Sequence, residues 1–406
     1  MLLEILANFK GATPFKEIVL DDKWDQINRC YMFLLCVIFG TVVTFRQYTG
    51  GIIACDGLTK FSAAFAEDYC WTQGLYTIKE AYDIVDNSLP YPGLLPEDAP
   101  PCLSRRLVSG GRIECPPADL YLEPTRVHHT WYQWIPFYFW VISIAFIGPY
   151  IVYKQLGVNE LKPILAMLHN PVDGDDVTKD QISKVSRWLA IKLNIFIQEK
   201  STYAKITQSH RMFILIFLTK IFYLGVSLAT MYFTDTMFES GRYLTYGSEW
   251  FASLDKQSNY TSFVRDRLFP KMVACEIKRW GPSGMEEEQG MCVLAPNVMN
   301  QYLFLIFWFA LVFTIFSNTF SIFFSVSTHC FIDGGYQRFI QSCFLKENSK
   351  LKFIYFNCGT TGRTYLHLIA KNVNPRIFEQ LIIKLSADLV EEKNKQHLKG
   401  SKDILV

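Results

Sequence analysis

Four long apolar segments constrain the fold of this chain more than any other feature. They are residues 30–49, 134–153, 212–234 and 302–328. Their charged side chains are limited to Arg46 at the end of the first segment and Lys220 in the third. A helix needs about 20 residues to cross a hydrocarbon core about 30 Å thick, and each segment meets that length. The sequence therefore predicts an all-α membrane protein, a bundle of four transmembrane helices.

The overall composition agrees with this prediction. Charged residues make up 19% of the 406 residues, below the roughly 25% that is typical of soluble chains. The first apolar segment follows a charged stretch, and no small-residue cleavage site follows it. It therefore predicts a retained membrane helix rather than a cleaved signal peptide.

The charges between the segments predict the orientation in the membrane. Residues 50–133 carry 6 Lys and Arg against 11 Asp and Glu, and residues 235–301 carry 7 against 9. Residues 154–211 carry 9 against 6, residues 329–406 carry 12 against 7, and residues 1–29 are nearly balanced at 4 against 5. Because basic residues concentrate on the cytoplasmic side, we expect both termini and the central loop in the cytoplasm. The two acidic loops are then extracellular.

Cysteine usage supports extracellular loops held by disulfides. Six of the 11 cysteines fall in the two outer loops, and an even number in an oxidising compartment indicates disulfides. These six are Cys55, Cys70, Cys102, Cys115, Cys275 and Cys292. The residues alone leave the pairing open. The remaining cysteines are predicted to be free thiols: Cys30, Cys36, Cys330, Cys343 and Cys358.

One possible modification site also lies in the second outer loop. Residues 259–261, Asn-Tyr-Thr, match the N-glycosylation sequon, which predicts glycosylation of Asn259.

An aromatic cluster marks the entrance to the second apolar segment. Trp131, Tyr132 and Trp134 fit the headgroup zone, where such rings are enriched. Pro136 is expected in the first helical turn, where a missing N–H is tolerated. Gln133 is then expected at the end of the helix that is exposed to water.

The predicted cytoplasmic parts have helical patterns. Ile182, Val185, Trp188 or Leu189, and Leu193 recur at helical spacing in the central loop. In the tail, Asn374-Pro375 predicts that one helix ends and another begins.

Several motifs resemble, in order and spacing, those of innexins, the gap-junction proteins of invertebrates and relatives of pannexin-like large-pore channels. The WYQWIPF motif supplies Tyr132, Gln133, Trp134, Pro136 and Phe137. The other resembling segments are TFRQYTGGIIAC at 44–55, FPKMVACEIKRWG at 269–281, CVLAPNVMNQYLFLIFWF at 292–309 and YLHLIAKNVNPRIFEQLI at 365–382.

The resemblance implies a homo-oligomeric, octameric hemichannel that docks with one on an adjacent cell and passes ions and small metabolites. It also implies two disulfides between the outer loops, Cys55–Cys292 and Cys70–Cys275. Cys102 and Cys115 are left over and are expected to bond to each other. The chain departs from the family pattern at Gly51, Ile52 and Asp56, and these departures bear on docking.

The resemblance also suggests residues of the pore. In innexin-like channels the N-terminal helix folds into the pore mouth, where an apolar collar can gate by dewetting. Here that segment supplies Met1, Leu2, Leu3, Ile5, Leu6 and Phe9. A helix lying on the membrane surface is the alternative. Arg46 is a second candidate, with a headgroup or loop contact as its alternative.

Lys220 lies deep in the third segment, where a charge is costly and faces protein or water. A pore or inter-subunit contact and a structural bond to a neighbouring helix both remain open.

No catalytic, cofactor or metal motif stands out, and we expect neither an enzyme nor a nucleic-acid binder. His128 and His129 are adjacent, and no further ligand lies at suitable spacing. Membrane lipids and copies of the same chain are the expected partners. The function classes that remain are a junctional channel, an undocked hemichannel and an adhesion or scaffold protein without a pore.

Overall fold

The structure is a computed structural model that describes residues 22–78, 94, 106–108, 112–114, 126–158, 161–169, 175–193, 202–238, 242–253, 266–281, 284–343, 345 and 348–402. The chain divides into two compact units. We call Asn28–Phe146 with Gly225–Phe316 the disulfide unit. We call Met1–Ile27, Ile147–Leu224 and Ser317–Val406 the helical unit.

Four helices are long and apolar enough to cross a membrane, with mean hydropathies between 1.7 and 2.1. Helix α1 covers Lys23–Thr49, including a π-helical stretch at Ile27–Met32. Helix α3 covers Ile135–Tyr153 after a 3-10 turn at Trp131–Trp134. The other two are α6, Thr202–Met237, and α8, Ala295–Cys330. Each contains one of the predicted segments, so the four-helix membrane fold is confirmed.

The disulfide unit contains an antiparallel sheet that the sequence patterns did not predict. Its strand order is β1-β7-β6-β2-β5. The strands are β1 Ala54–Asp56, β2 Leu75–Ile78, β5 Arg126–His129, β6 Met272–Gly281 and β7 Gly284–Val293. A separate pair is formed by β3 Arg106–Val108 and β4 Arg112–Glu114. Two short helices complete the unit: α2 Ala63–Gln73 and α7 Tyr243–Ser253.

The core of the disulfide unit is rich in aromatic side chains. Phe238, Phe269 and Phe304 lie within 5.4 Å of one another, ring centroid to ring centroid. All three are at most 2% exposed. Aromatic rings bury large areas and prefer tilted or edge-on contacts such as these. The core therefore joins the residue that follows α6, a residue of α8 and the segment before β6.

The helical unit is built from short helices packed with the ends of the long ones. The short helices are α4 Lys162–His169, α5 Asp175–Leu193, α9 Ile332–Cys343, α10 Ser349–Asn357, α11 Thr360–Asn372 and α12 Pro375–Lys402.

The helical patterns predicted for these parts of the chain are confirmed. Ile182, Val185 and Leu189 of α5 are 5%, 2% and 0% exposed. Trp188 is partly buried and its ring lies 5.6 Å from that of Tyr365. The predicted break at Asn374-Pro375 falls between α11 and α12, since Pro375 begins the second helix.

Candidate functional site

Two disulfides join distant parts of the chain in the disulfide unit. Cys55 of β1 bonds Cys292 of β7, and the two residues are directly opposed in the sheet with Cα atoms 4.0 Å apart. Cys70 of α2 bonds Cys275 of β6, with Cα atoms 5.8 Å apart. These are the two pairs that the family resemblance implies. They tie β1 and α2, which both lie in the first part of the first outer loop, to the β6–β7 hairpin.

The sulfurs of the two disulfides are neighbours. The Sγ atoms of Cys55, Cys70 and Cys292 lie within 4.8 Å of one another. A metal needs thiolates as ligands, and each of these sulfurs is already in a disulfide. The cluster is therefore a covalent junction and not a metal centre.

Glycine and a carboxylate allow the first loop to pack closely on the hairpin. A Cβ at Gly290 would lie 2.5 Å from Leu58 Cγ and 2.7 Å from the carbonyl oxygen of Asp56, so this position needs a glycine. The Glu288 carboxylate accepts hydrogen bonds from the backbone N–H groups of Thr59 and Lys60, each at 3.1 Å. The loop after β1 is thus held on the hairpin by close packing at Gly290 and by hydrogen bonds to Glu288, as well as by the disulfide.

The WYQW motif has a structural role that sequence reasoning missed. Trp71 lies in the last turn of α2, where helix carbonyls lack intrahelical partners. Its carbonyl oxygen accepts hydrogen bonds from Tyr132 Oη at 3.1 Å and from Gln133 Nε2 at 2.5 Å. Gln133 therefore caps a helix of the first loop. Helix-capping by a residue distant in sequence leaves no local signal that could have revealed it.

The aromatic residues of the motif divide between core and surface. Trp131 and Tyr132 are 5% and 4% exposed, and the Trp131 ring lies 4.7 Å from that of Phe238. These two rings are core residues and not the headgroup contacts that we expected. Trp134 and Phe137 are exposed, as an interfacial position requires. Pro136 lies in the first turn of α3, where its missing donor is tolerated.

The buried ring of His129 has hydrogen-bond partners within the same unit. Its Nε2 atom lies 2.8 Å from Thr77 Oγ1, and Trp131 Nε1–H donates to its Nδ1 atom at 3.4 Å. Burial, with a smaller contribution from the neighbouring His128, lowers the pKa of His129 to about 4. An uncharged ring that accepts from Trp131 and bonds Thr77 is a packing element of the sheet.

Lys220 forms a buried ion pair in the helical unit. Its Nζ atom lies 3.1 Å from Asp25 Oδ1, 3.2 Å from Asp22 Oδ2 and 2.7 Å from Ser321 Oγ. The side chain is 2% exposed. A buried ammonium requires such partners because its desolvation is costly. The geometry is that of the structural alternative, a bond between α6, α8 and the start of α1.

The other sequence candidates lie apart from these contacts. Arg46 is exposed in the last turn of α1, where a positive charge is favourable, and its guanidinium packs close to Gly50. The N-terminal pore candidates, Asn259, Cys102 and Cys115 lie outside the described residues. Of the cysteines predicted to be free, Cys36, Cys343 and Cys358 are buried thiols.

The fold and the site define a class: a membrane subunit with four spanning helices whose two outer loops are cross-linked by disulfides. Comparisons with known proteins identify the family. The family model described as Innexin matches residues 21–389. Innexin inx2 of Drosophila melanogaster is 23% identical over 403 residues, 98% of each chain.

Further relatives have similar identities. Innexin inx2 of Schistocerca americana is 23% identical over 392 residues, which is 96% of this chain and 98% of the relative. Innexin shaking-B of Drosophila melanogaster is 23% identical over 314 residues, 76% of this chain and 75% of the relative. The chain therefore belongs to the innexin family, the gap-junction channel subunits of invertebrates.

Proposed function

We propose that this innexin assembles as an octamer in the plasma membrane, with both termini in the cytoplasm, and that the hemichannel docks with one on an adjacent cell. The joined pore passes ions and small metabolites. The single observation that supports this proposal best is the pair of disulfides that hold β1 and α2 on the β6–β7 hairpin. Docking requires each subunit of one hemichannel to present the same surface to the opposing hemichannel, and disulfides make that surface rigid.

The tip of the hairpin supports docking between copies of the chain. Trp280 and Met285 are cross-strand partners next to the turn, and they are 80% and 57% exposed. Flanking residues are basic on β6 and acidic on β7, for example Lys278 opposite Glu287. Exposed apolar residues rimmed by both charge signs are typical of protein interaction surfaces.

The pore is proposed to be lined at its mouth by the N-terminal segment, with Leu2, Ile5 and Phe9 as the apolar collar and Arg46 near the opposite end of α1. We do not place Lys220 in the pore lining, because its ammonium bonds Asp25, Asp22 and Ser321. Replacing Leu2 and Ile5 by Asn should raise the open probability of single-cell currents, since a polar collar stays wet.

The experiment that tests docking is junctional conductance between two apposed cells that express this chain and lack other channels. Coupling supports a docked junction. Single-cell currents without coupling contradict docking and support an undocked hemichannel. Surface expression without either current would support a scaffold and overturn the channel proposal.

A matched variant localises docking to the hairpin. Trp280→Ser should reduce junctional conductance and leave single-cell currents unchanged. Trp134→Ser, which changes a second exposed tryptophan (63%) at the start of a membrane helix, serves as the control. Unchanged coupling in Trp280→Ser would remove the hairpin tip from the proposed docking surface.

Departures from the family pattern favour the undocked hemichannel as the second candidate. Gly51, Ile52 and Asp56 differ from the usual residues of the first outer loop, and a glycan on Asn259 would hold apposed loops apart. Asn259→Gln should then increase gel mobility and junctional coupling. If neither changes, glycosylation has no part in docking.

A further inference from the structure

A cavity of about 630 Å³ lies inside the helical unit. All four membrane helices contribute to its walls, with Trp24 of α1, Tyr153 of α3, Thr219 of α6 and Phe324 of α8 among them. The remaining wall comes from α9, Tyr355 of α10, and α11. Its volume falls in the range of about 300–1,000 Å³ that is typical of ligand sites.

The lining of this cavity is positively charged. Four cationic side chains line it: Lys23, Arg338, Arg363 and Lys371. Among the described residues the lining includes two carboxylates, Asp22 and Asp25, and both of these bond Lys220. The basic side chains of the lining outnumber its carboxylates, so an anion entering the cavity meets a net positive charge.

Two arginines in the lining are held by neutral groups. Arg338 Nη1 donates to Ser327 Oγ and Thr328 Oγ1 at 3.1 Å each, while its guanidinium lies 4.6 Å from the centroid of the Phe324 ring. Arg363 Nε donates to the Tyr355 carbonyl oxygen at 3.2 Å. Within the part of the chain that the structure describes, neither guanidinium forms an ion pair with a carboxylate. Each has five N–H donors, so donors remain for an anion.

Apolar side chains form another part of the wall, beside hydroxyl and amide groups such as those of Thr219, Ser325 and Gln341. Ile216, Phe339 and Leu368 contribute hydrocarbon surface. Trp24 and Tyr150 are near the ends of their apolar segments, the level at which such rings meet lipid headgroups. The cavity thus combines apolar surface with two guanidinium groups.

From this combination we infer that the cavity binds an anionic amphiphile with a phosphate headgroup and one aliphatic chain, the headgroup bonded by Arg338 and Arg363. The guanidinium fork matches phosphate geometry, and the apolar wall accommodates the chain. Such a ligand would bridge α8, α9 and α11. This inference concerns lipid binding and does not depend on whether hemichannels dock.

The test uses the purified full-length oligomer in a non-ionic detergent. Equilibrium binding of 1-acyl lysophosphatidic acid is compared with that of lysophosphatidylcholine carrying the same chain. The first should bind at least about tenfold tighter, since the choline headgroup brings no net negative charge to the arginines. Equal affinities would overturn the inference.

Inorganic phosphate distinguishes the two possible sources of the anion. If it displaces the lysophospholipid at similar concentration, the site recognises free phosphate alone, and the amphiphile assignment is wrong. Failure of inorganic phosphate to compete supports a ligand that needs its chain.

A charge-matched pair of variants locates the site. Arg338→Gln with Arg363→Gln should weaken lysophosphatidic acid binding by about tenfold or more. Lys350→Gln with Arg376→Gln removes the same charge from α10 and α12 outside the cavity lining, and should bind as the parent does. Equal affinity in both variants would overturn the assignment, and the headgroup comparison in the parent chain holds even if a variant misfolds.

A labelling experiment reports on the cavity directly. Cys343 lines the cavity and is 8% exposed. Bound lysophosphatidic acid should slow alkylation of Cys343 by a small maleimide, measured by peptide mass spectrometry, while the rate at Cys358, which is outside the lining, stays unchanged. Binding without protection of Cys343 would place the lipid elsewhere on the protein.

Discussion

The two units of this innexin are stabilised by different means. The disulfide unit is closed by covalent bonds between residues 237 and 205 positions apart in the chain. In the helical unit, Cys343 and Cys358 are buried thiols. That unit also contains the buried ion pair of Lys220 with Asp25.

This difference matches the two chemical environments that the proposed orientation assigns to the units. Disulfides persist outside the cell, whereas cytoplasmic thiols are kept reduced. A strand of three residues, β1, also gains little from its own hydrogen bonds and is held in place by Cys55. The described helices of the other unit pack through a cluster of buried apolar side chains.

Removing a disulfide should produce the largest effect. Cys70→Ser opens the bond to Cys275, which, with Cys55–Cys292 intact, closes a loop of about 32 residues and corresponds to roughly 4 kcal/mol in the chain-entropy model. We expect loss of single-cell currents through failed assembly. The measurements are current amplitude and the oligomer peak in size-exclusion chromatography.

The control for this variant lies in the other unit. Cys358→Ser changes a thiol that is 2% exposed and donates a hydrogen bond to the Tyr355 carbonyl, which serine can also do. It should retain assembly and currents. Normal currents from Cys70→Ser would show that the disulfide unit does not depend on its covalent junction.

Breaking the buried ion pair should have the next largest effect. Lys220→Met leaves the Asp25 carboxylate without its ammonium partner in a largely buried position, which costs about 3–5 kcal/mol in comparable pairs. The melting temperature of the purified protein should fall. Lys220→Met with Asp25→Leu should recover much of the loss, since the more buried carboxylate is removed and the remaining one, Asp22, is about half exposed.

An exposed ion pair in the same unit provides the comparison. Lys184 lies 2.7 Å from Asp180, and both side chains are more than half exposed. Lys184→Met should change stability by no more than about 0.5 kcal/mol. Equal melting temperatures for the Lys220 and Lys184 variants would mean that burial does not govern the contribution of the ion pair.

These contacts also show what the sequence could predict. The four spans, the helix at Asp175–Leu193 and the break before Pro375 follow from local periodicity and composition. The two disulfides followed from the family resemblance, because the residues alone left the pairing open. The apolar segments and helical periodicities depend on residues that are close together in the chain, so the sequence alone reveals them.

The contacts that sequence reasoning missed join residues far apart in the chain. Strand β2 pairs with β5 about 50 residues away and with β6 about 200 residues away, and its four residues carry little periodicity of their own. Gln133 caps α2 through Trp71, which is 62 positions away. The partners of Lys220 similarly lie 195 and 101 positions away.

A third prediction concerns the pH dependence of the disulfide unit. The pKa of His129 is lowered to about 4 by burial, against about 6.5 in an unfolded chain. Stability from the neutral ring is therefore fully present above pH 6.5 and is lost as the pH falls from 6.5 to 4. The loss is on the order of 3 kcal/mol and should appear as a falling melting temperature.

The neighbouring histidine is the control for this measurement. His129→Asn should lower stability at pH 7 and flatten the change between pH 6.5 and 4. His128→Asn alters the exposed residue next to it and should retain the pH dependence. If the His129 variant follows the parent curve, another group is responsible for the acid sensitivity.

The smallest expected effect tests the shared cap on α2. Tyr132 and Gln133 donate to the same Trp71 carbonyl oxygen, so either donor alone still satisfies that acceptor. Tyr132→Phe and Gln133→Ala should each cost less than about 1 kcal/mol, whereas the double variant leaves the carbonyl unsatisfied and should cost about 2 kcal/mol or more. A double-mutant cycle on melting temperature measures this excess. Strict additivity would mean that water replaces the missing donors, and that the WYQW motif is retained for the packing of Trp131 and Tyr132 rather than for the cap.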